Sequence, residues 1–252
     1  MKISLVFTSF YNSFDIIRKA KLRKFYFLPG VISICLFMLF LSAGNFVSDS
    51  ITLLIEKFLN IGKYHSILLF IIKTIVWICS ILFYFLIYKS LLLIILSPIL
   101  SYISERVETY LTGEKFEFGL KKNISFLKRG VSIGFRSFVK QMIASILIMF
   151  LGFIFPINLS IPFLVFIVQA YFTGFSFMDY TLERHELSPV DSLKFLKRKR
   201  VYATLSGVIF TMLFFIPFIG PFLAPLLTCV AVTKITLELL KEDKEKFEII
   251  KS

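Results

Sequence analysis

The sequence predicts an all-α integral membrane protein with two long spanning helices, two proline-tipped hemi-penetrating (re-entrant) helical hairpins and an amphipathic helix at the N-terminus. Three observations predict this. Of the 252 residues 57% are hydrophobic and only 18% charged, with a mean hydropathy of +0.84, more apolar surface than a soluble domain of this length can bury. The apolar residues fall into four long blocks, and the last two carry prolines at their midpoints. Almost all the basic residues lie between the blocks rather than inside them. One membrane domain, 1–252, is therefore expected.

Residues 1–24 form an amphipathic, basic N-terminal segment. Val6, Phe7, Phe10, Phe14 and Ile17 recur at helical spacing with Lys and Arg on the flanks, the pattern of a helix lying on an anionic leaflet. The first spanning helix is predicted over 25–48, an uncharged run of 24 residues. A secretory signal has an apolar core of only about 7–15 residues, so an uncleaved helix is the better reading. A long second helix is predicted over 66–111, interrupted only by Lys73 and Lys89 before the charges at Glu105. At 1.5 Å per residue it would reach roughly 65 Å, about twice the ~30 Å hydrocarbon core. Its end must therefore project into water or break at Pro98. Lys89, beside Tyr84 and Tyr88, is expected at an aromatic interface belt, with a wet path through the protein as the alternative.

The hairpins are predicted over 141–178, 38 uncharged residues with "FPINLSIP" near the middle, and over 201–233, 33 uncharged residues with "IPFIGPFLAP" near the middle. Proline removes a backbone donor and breaks a helix interior, and lipid offers no substitute partner. Pro156 in the first block, and Pro217, Gly220, Pro221 and Pro225 in the second, are therefore read as tips that face protein or water. Limbs of about 16 residues give roughly 24 Å, short of a full crossing. Two ordinary spanning pairs that thin the bilayer remain the alternative. Residues 234–252 read as a charged tail.

Basic clusters at 18–24, 115–140, 184–200 and 234–251 all belong on the cytoplasmic side under the positive-inside rule, leaving 49–63 outside. Re-entrant hairpins and spanning pairs satisfy this equally. Cys35, Cys79 and Cys229 are too far apart for a metal site and give no disulfide framework. With two histidines, no HExxH and no glycine-rich phosphate loop, the chain does not read as an enzyme. Glu105 with Glu108, and Asp179 with Glu183, recur at helical spacings, and Arg198 and Arg200 follow downstream. These charges read as ion pairs at the membrane edge rather than a proton relay. No cofactor, metal or nucleic-acid partner is expected.

"LRKFYFLPG" at 22–30, "SPILSYISERVETYLTG" at 97–113, "FMDYTLERHELSPVDSLKFLKRKR" at 177–200 and "FFIPFIGPFLAPLLTCVAVT" at 214–233 resemble, in order, the blocks of the CysZ-type sulfate permease and etoposide-induced protein 2.4 family. That resemblance implies two long helices with two hemi-penetrating hairpins. It also implies sulfate uptake for cysteine synthesis across a bacterial cytoplasmic (inner) membrane. The family's animal members, endoplasmic-reticulum proteins linked to autophagy, keep open a second reading, a non-transporting scaffold that organises partners or lipids through a basic face.

The family's Gly-(Leu/Ile)-Arg-Arg-Phe segment, implicated in anion binding, corresponds to Lys21, Leu22, Arg23, Lys24 and Phe25. Both cations are kept, while lysine replaces the glycine and its backbone freedom, and Lys24 lacks arginine's two-pronged fork. Plain positive-inside topology also accounts for this cluster. The implied partners are sulfate or a similar oxyanion, the lipid bilayer and a second copy of the chain.

Overall fold

The computed structural model describes residues 3–58, 65–114, 120–151, 157–185, 187, 189–216 and 219–251, and among these no strand occurs. Eight α-helices follow in order among the described residues: α1 Ser4–Lys19, α2 Phe27–Phe58, α3 His65–Thr112, α4 Leu120–Phe150, α5 Ile161–Arg184, α6 Pro189–Arg198, α7 Arg200–Phe214 and α8 Gly220–Lys251. Among the described residues four segments are long and apolar enough to cross a membrane: Arg23–Leu54, Ile87–Thr112, Ile161–Arg184 and Gly220–Asp243. The chain forms two compact units, one of Gly30–Leu92 and one of Met1–Pro29 with Leu93–Ser252.

In the smaller unit the Trp77 ring lies against Gly44, where an added methyl would come within 3.3 Å of it. Lys89 is 3% exposed. Its side chain is thus enclosed by protein. α3 continues through Pro98 without a break for 48 residues, about 72 Å. The break at Pro98 that the length argument allowed does not occur.

The larger unit is built around α8, which is buried on every side from Ala224 to Thr233, including Leu226, Val230 and Ala231. α1 packs along α8 and buries Val6, Ser9, Ser13, Ile16 and Ile17. Phe7, Tyr11 and Phe14 stay exposed. The apolar face read as a surface anchor is therefore divided, half against α8 and half outward.

The break in the second hairpin falls where the prolines predict it. α7 ends at Phe214 and α8 begins at Gly220, with Pro221 at its second position, where a missing N–H costs nothing. Pro225 lies inside α8. Gly220 packs so tightly on the last carbonyls of α7 that a Cβ would collide with Phe214 O and Leu213 O. Pro156 and Pro217 lie outside the described residues. The limbs are unequal: α7 has 15 residues, whereas α8 has 32 and absorbs the stretch read as a separate tail, since no helix breaker follows Thr233. α4 likewise begins at Leu120, well before the apolar run.

α5 and α7 cross through two reciprocal small-residue steps, Ala170 to Gly174 and Ala203 to Gly207. A Cβ on Gly174 would run into the carbonyl of Ala203, and one on Gly207 into the carbonyl of Ala170. Such spacing lets helix backbones touch where lipid gives no hydrophobic drive for association. Alanine is the better helix former by about 1 kcal/mol. Backbone cannot yield here, however, so the overpacking cost of about 1–3 kcal/mol should win. Gly174→Ala and Gly207→Ala should each lower the thermal unfolding midpoint in detergent. A rise in either would show that the crossing is looser than described.

Candidate functional site

The segment Lys21–Phe25 is shaped by the end of α1. Ala20 N–H donates to Ile16 O at 2.8 Å, Lys21 N–H to Arg18 O at 3.3 Å and Leu22 N–H to Ile17 O at 2.9 Å. Lys21 has φ +56°. The six-to-one and five-to-two bonds around a left-handed residue make a Schellman cap, closed by the buried pair Ile17 and Leu22. Glycine normally occupies that left-handed position, and a side chain there costs about 1–2 kcal/mol. Here Lys21 holds that position.

Arg23–Tyr26 then forms one 3₁₀ turn into α2. It sends its two cations different ways. Lys24 Nζ lies 5.4 Å from the centre of the Phe25 ring, which packs 5.8 Å from Tyr102. Arg23 instead lines a cleft of about 750 Å³ with Asp15, Arg18, Tyr26, Ile219 and Phe222. Arg18, unmarked by sequence reading, brings the cleft to two guanidiniums against one carboxylate. Ile219 and Phe222 belong to the α7–α8 tip, so the tip and the basic turn share one cavity. Arg18 and Arg23 lie beside the tip that follows α7, whereas Arg200 starts α7, a helix about 22 Å long. Charge counting cannot register that α1 runs along α8 and carries its last turn to the tip.

A second polar centre joins α3, α5 and α8. Arg184 Nε donates to Glu108 Oε2 at 2.8 Å, Nη1 to Tyr180 O at 2.7 Å and Nη2 to Ser104 Oγ at 2.7 Å. Ser104 Oγ lies 2.7 Å from Thr233 Oγ1 and 3.2 Å from Thr181 Oγ1. His185 Nε2 lies 2.8 Å from the other Glu108 oxygen. Glu108 is 0% and Arg184 5% exposed, so each charge depends on the other for its solvation.

The supporting charges named from sequence distribute differently. Glu105 is half-buried outside this centre. Asp179 and Glu183 are buried on α5. Arg198 pairs with Asp243 at 3.1 Å, and Arg200 is exposed at the start of α7. Glu108 and Arg184 were each in view, but not as partners. Their positions, 76 residues apart, carry no pairing signal beyond charge.

The family profile described as Sulfate transporter CysZ/Etoposide-induced protein 2.4 matches residues 9–225. The chain belongs to that family. No match was found among the curated proteins. The match takes in the capped turn, Ser104, Glu108 and Arg184, and stops at Pro225, short of Thr233. Membership agrees with the resemblance carried by the four sequence blocks, which meet at these two centres.

Removing one member of a buried ion pair strands the other, at about 3–5 kcal/mol, whereas apolar replacement of both is often nearly neutral. Arg184→Ala should therefore destabilise the protein strongly in detergent unfolding. The double change Arg184→Met with Glu108→Leu should be milder than that single change. Equal losses would mean that the pair is not the source of the stability.

Proposed function

We propose that the protein is a permease or channel for a small inorganic oxyanion, sulfate foremost, feeding sulfur assimilation across a bacterial cytoplasmic membrane, as a homo-oligomer. The observation that carries this reading is the cleft in which Arg18 and Arg23 face the α7–α8 tip. Sulfate carries two charges and needs several donors, and guanidinium groups supply paired N–H bonds.

The hairpin reading follows the same logic. α7, at about 22 Å, is short of the ~30 Å core, and irregular backbone at membrane depth is tolerated only beside protein or water. Arginines at such depth likewise belong to wet cavities. A re-entrant tip and two arginines on one cleft are thus mutually consistent as an aqueous vestibule, with the positive pair drawing anions toward the tip. Pro156, Pro217, Gly220, Pro221 and Pro225 belong to this reading as tip residues.

Purified protein in liposomes should take up radiolabelled sulfate above empty vesicles. Losing one charged hydrogen-bonding side chain costs about 1.5–3 kcal/mol, roughly 10- to 100-fold in affinity. Arg23→Gln should weaken uptake accordingly, and Arg23→Lys should keep part of it. No uptake by the wild type would favour the scaffold reading.

The vestibule has its own test. Gly220 tolerates no side chain, so the probe belongs at Ile219, which is 55% exposed. Ile219→Cys should react with a small hydrophilic thiol reagent, and sulfate should slow the reaction. A cysteine there that stays unreactive from both faces would rule out a wet tip.

A further inference from the structure

A cavity of about 270 Å³ lies between α4, α5 and α6, away from both centres described above. Arg136 and Lys140 line it from successive turns of α4, and Lys197 from α6. All three are exposed, and none forms an ion pair among the described residues. Below them the wall is aromatic, with Tyr171 and Phe175 of α5, and Asp179, 2% exposed, also lines the cavity.

Its position along the chain fixes its level. Lys140 is the last charge before the 38 uncharged residues of 141–178, so the rim sits where polar chain gives way to apolar chain. α6 holds its cation in place from beneath, since Ser192, Phe195 and Leu196 are buried while Lys197 is not. Three cations at an interface, over an aromatic wall that descends toward the apolar blocks, match an amphiphile with an anionic head.

We propose that this cavity binds one anionic glycerophospholipid, its phosphate held at the rim by Arg136, Lys140 and Lys197 and an acyl chain laid along Tyr171 and Phe175. Three cations against one carboxylate favour a net-anionic head over a zwitterionic one. A free oxyanion shares the phosphate chemistry but makes no use of the aromatic wall. The proposal is independent of sulfate transport, and either can fail without the other.

Native mass spectrometry of the detergent-purified full chain tests it with added phosphatidylglycerol, phosphatidylcholine or inorganic sulfate. One phosphatidylglycerol per chain should be retained in preference to phosphatidylcholine, and excess sulfate should not displace it. The triple variant Arg136→Gln, Lys140→Gln, Lys197→Gln should lose at least 10-fold in retention. The control triple Lys73→Gln, Arg106→Gln, Lys241→Gln should keep it. Equal losses in both triples, or displacement by sulfate, would overturn the proposal. If the first triple does not purify like the wild type, photoreactive phosphatidylglycerol on wild-type protein decides. Cross-links should fall within 131–140 and 189–200, and cross-links spread evenly over the chain would overturn it.

Discussion

The pairing of Arg184 with Glu108 is the constraint around which the larger unit is arranged. Two opposite charges that are almost wholly enclosed tolerate little displacement, because each has exchanged water for the other and for a few fixed oxygens. Arg184 reaches one carboxylate, one hydroxyl, a carbonyl of its own helix and the Ser101 carbonyl of α3. That geometry ties α3 to α5, and Ser104 extends the tie to Thr233 on α8. Once these three helices are in register, the glycine crossing sets α7 against α5. The tip then follows from where α7 runs out.

α8 connects the two polar centres. Gly220 at the tip and Thr233 in the ionic centre lie about 20 Å apart along the helix. The basic cleft and the buried pair therefore sit near opposite ends of the same apolar stretch, and neither interrupts the packing between them. Glu108 and Arg184 are buried as a pair, whereas Arg18 and Arg23 line a cleft.

Much of the helical layout was legible in the sequence because uncharged run length and proline position are local signals. The 24-residue first block, the long second helix and the break before Gly220 were all readable in this way. What was not legible depends on contact between distant segments. Glu105 and Glu108 look alike in "SERVET", and only the face that α3 turns to α5 makes Glu108 the partner of Arg184. The apolar residues of α1 fit a single surface-bound face until α8 claims Val6, Ile16 and Ile17 and leaves Phe7 and Phe14 outside. Arg18 counted only as one more basic residue, since its place beside Arg23 depends on a turn whose glycine signal the chain has lost.

That turn separates structure from chemistry within the basic motif. Lys21 sits in the left-handed region at a cost of about 1–2 kcal/mol, so intrinsic preference does not select the conformation. Two cap hydrogen bonds and the burial of Leu22 against Ile17 do. Fully burying a leucine side chain contributes about 1.5–3 kcal/mol, which by itself is enough to offset the strain. Lys21 and Leu22 are therefore explained as the cap of α1. The cations after them are what the cap delivers, and it delivers them unequally, Arg23 into the cleft and Lys24 onto Phe25. A motif that reads as one basic cluster is, in three dimensions, a helix terminator followed by a single cleft-lining arginine.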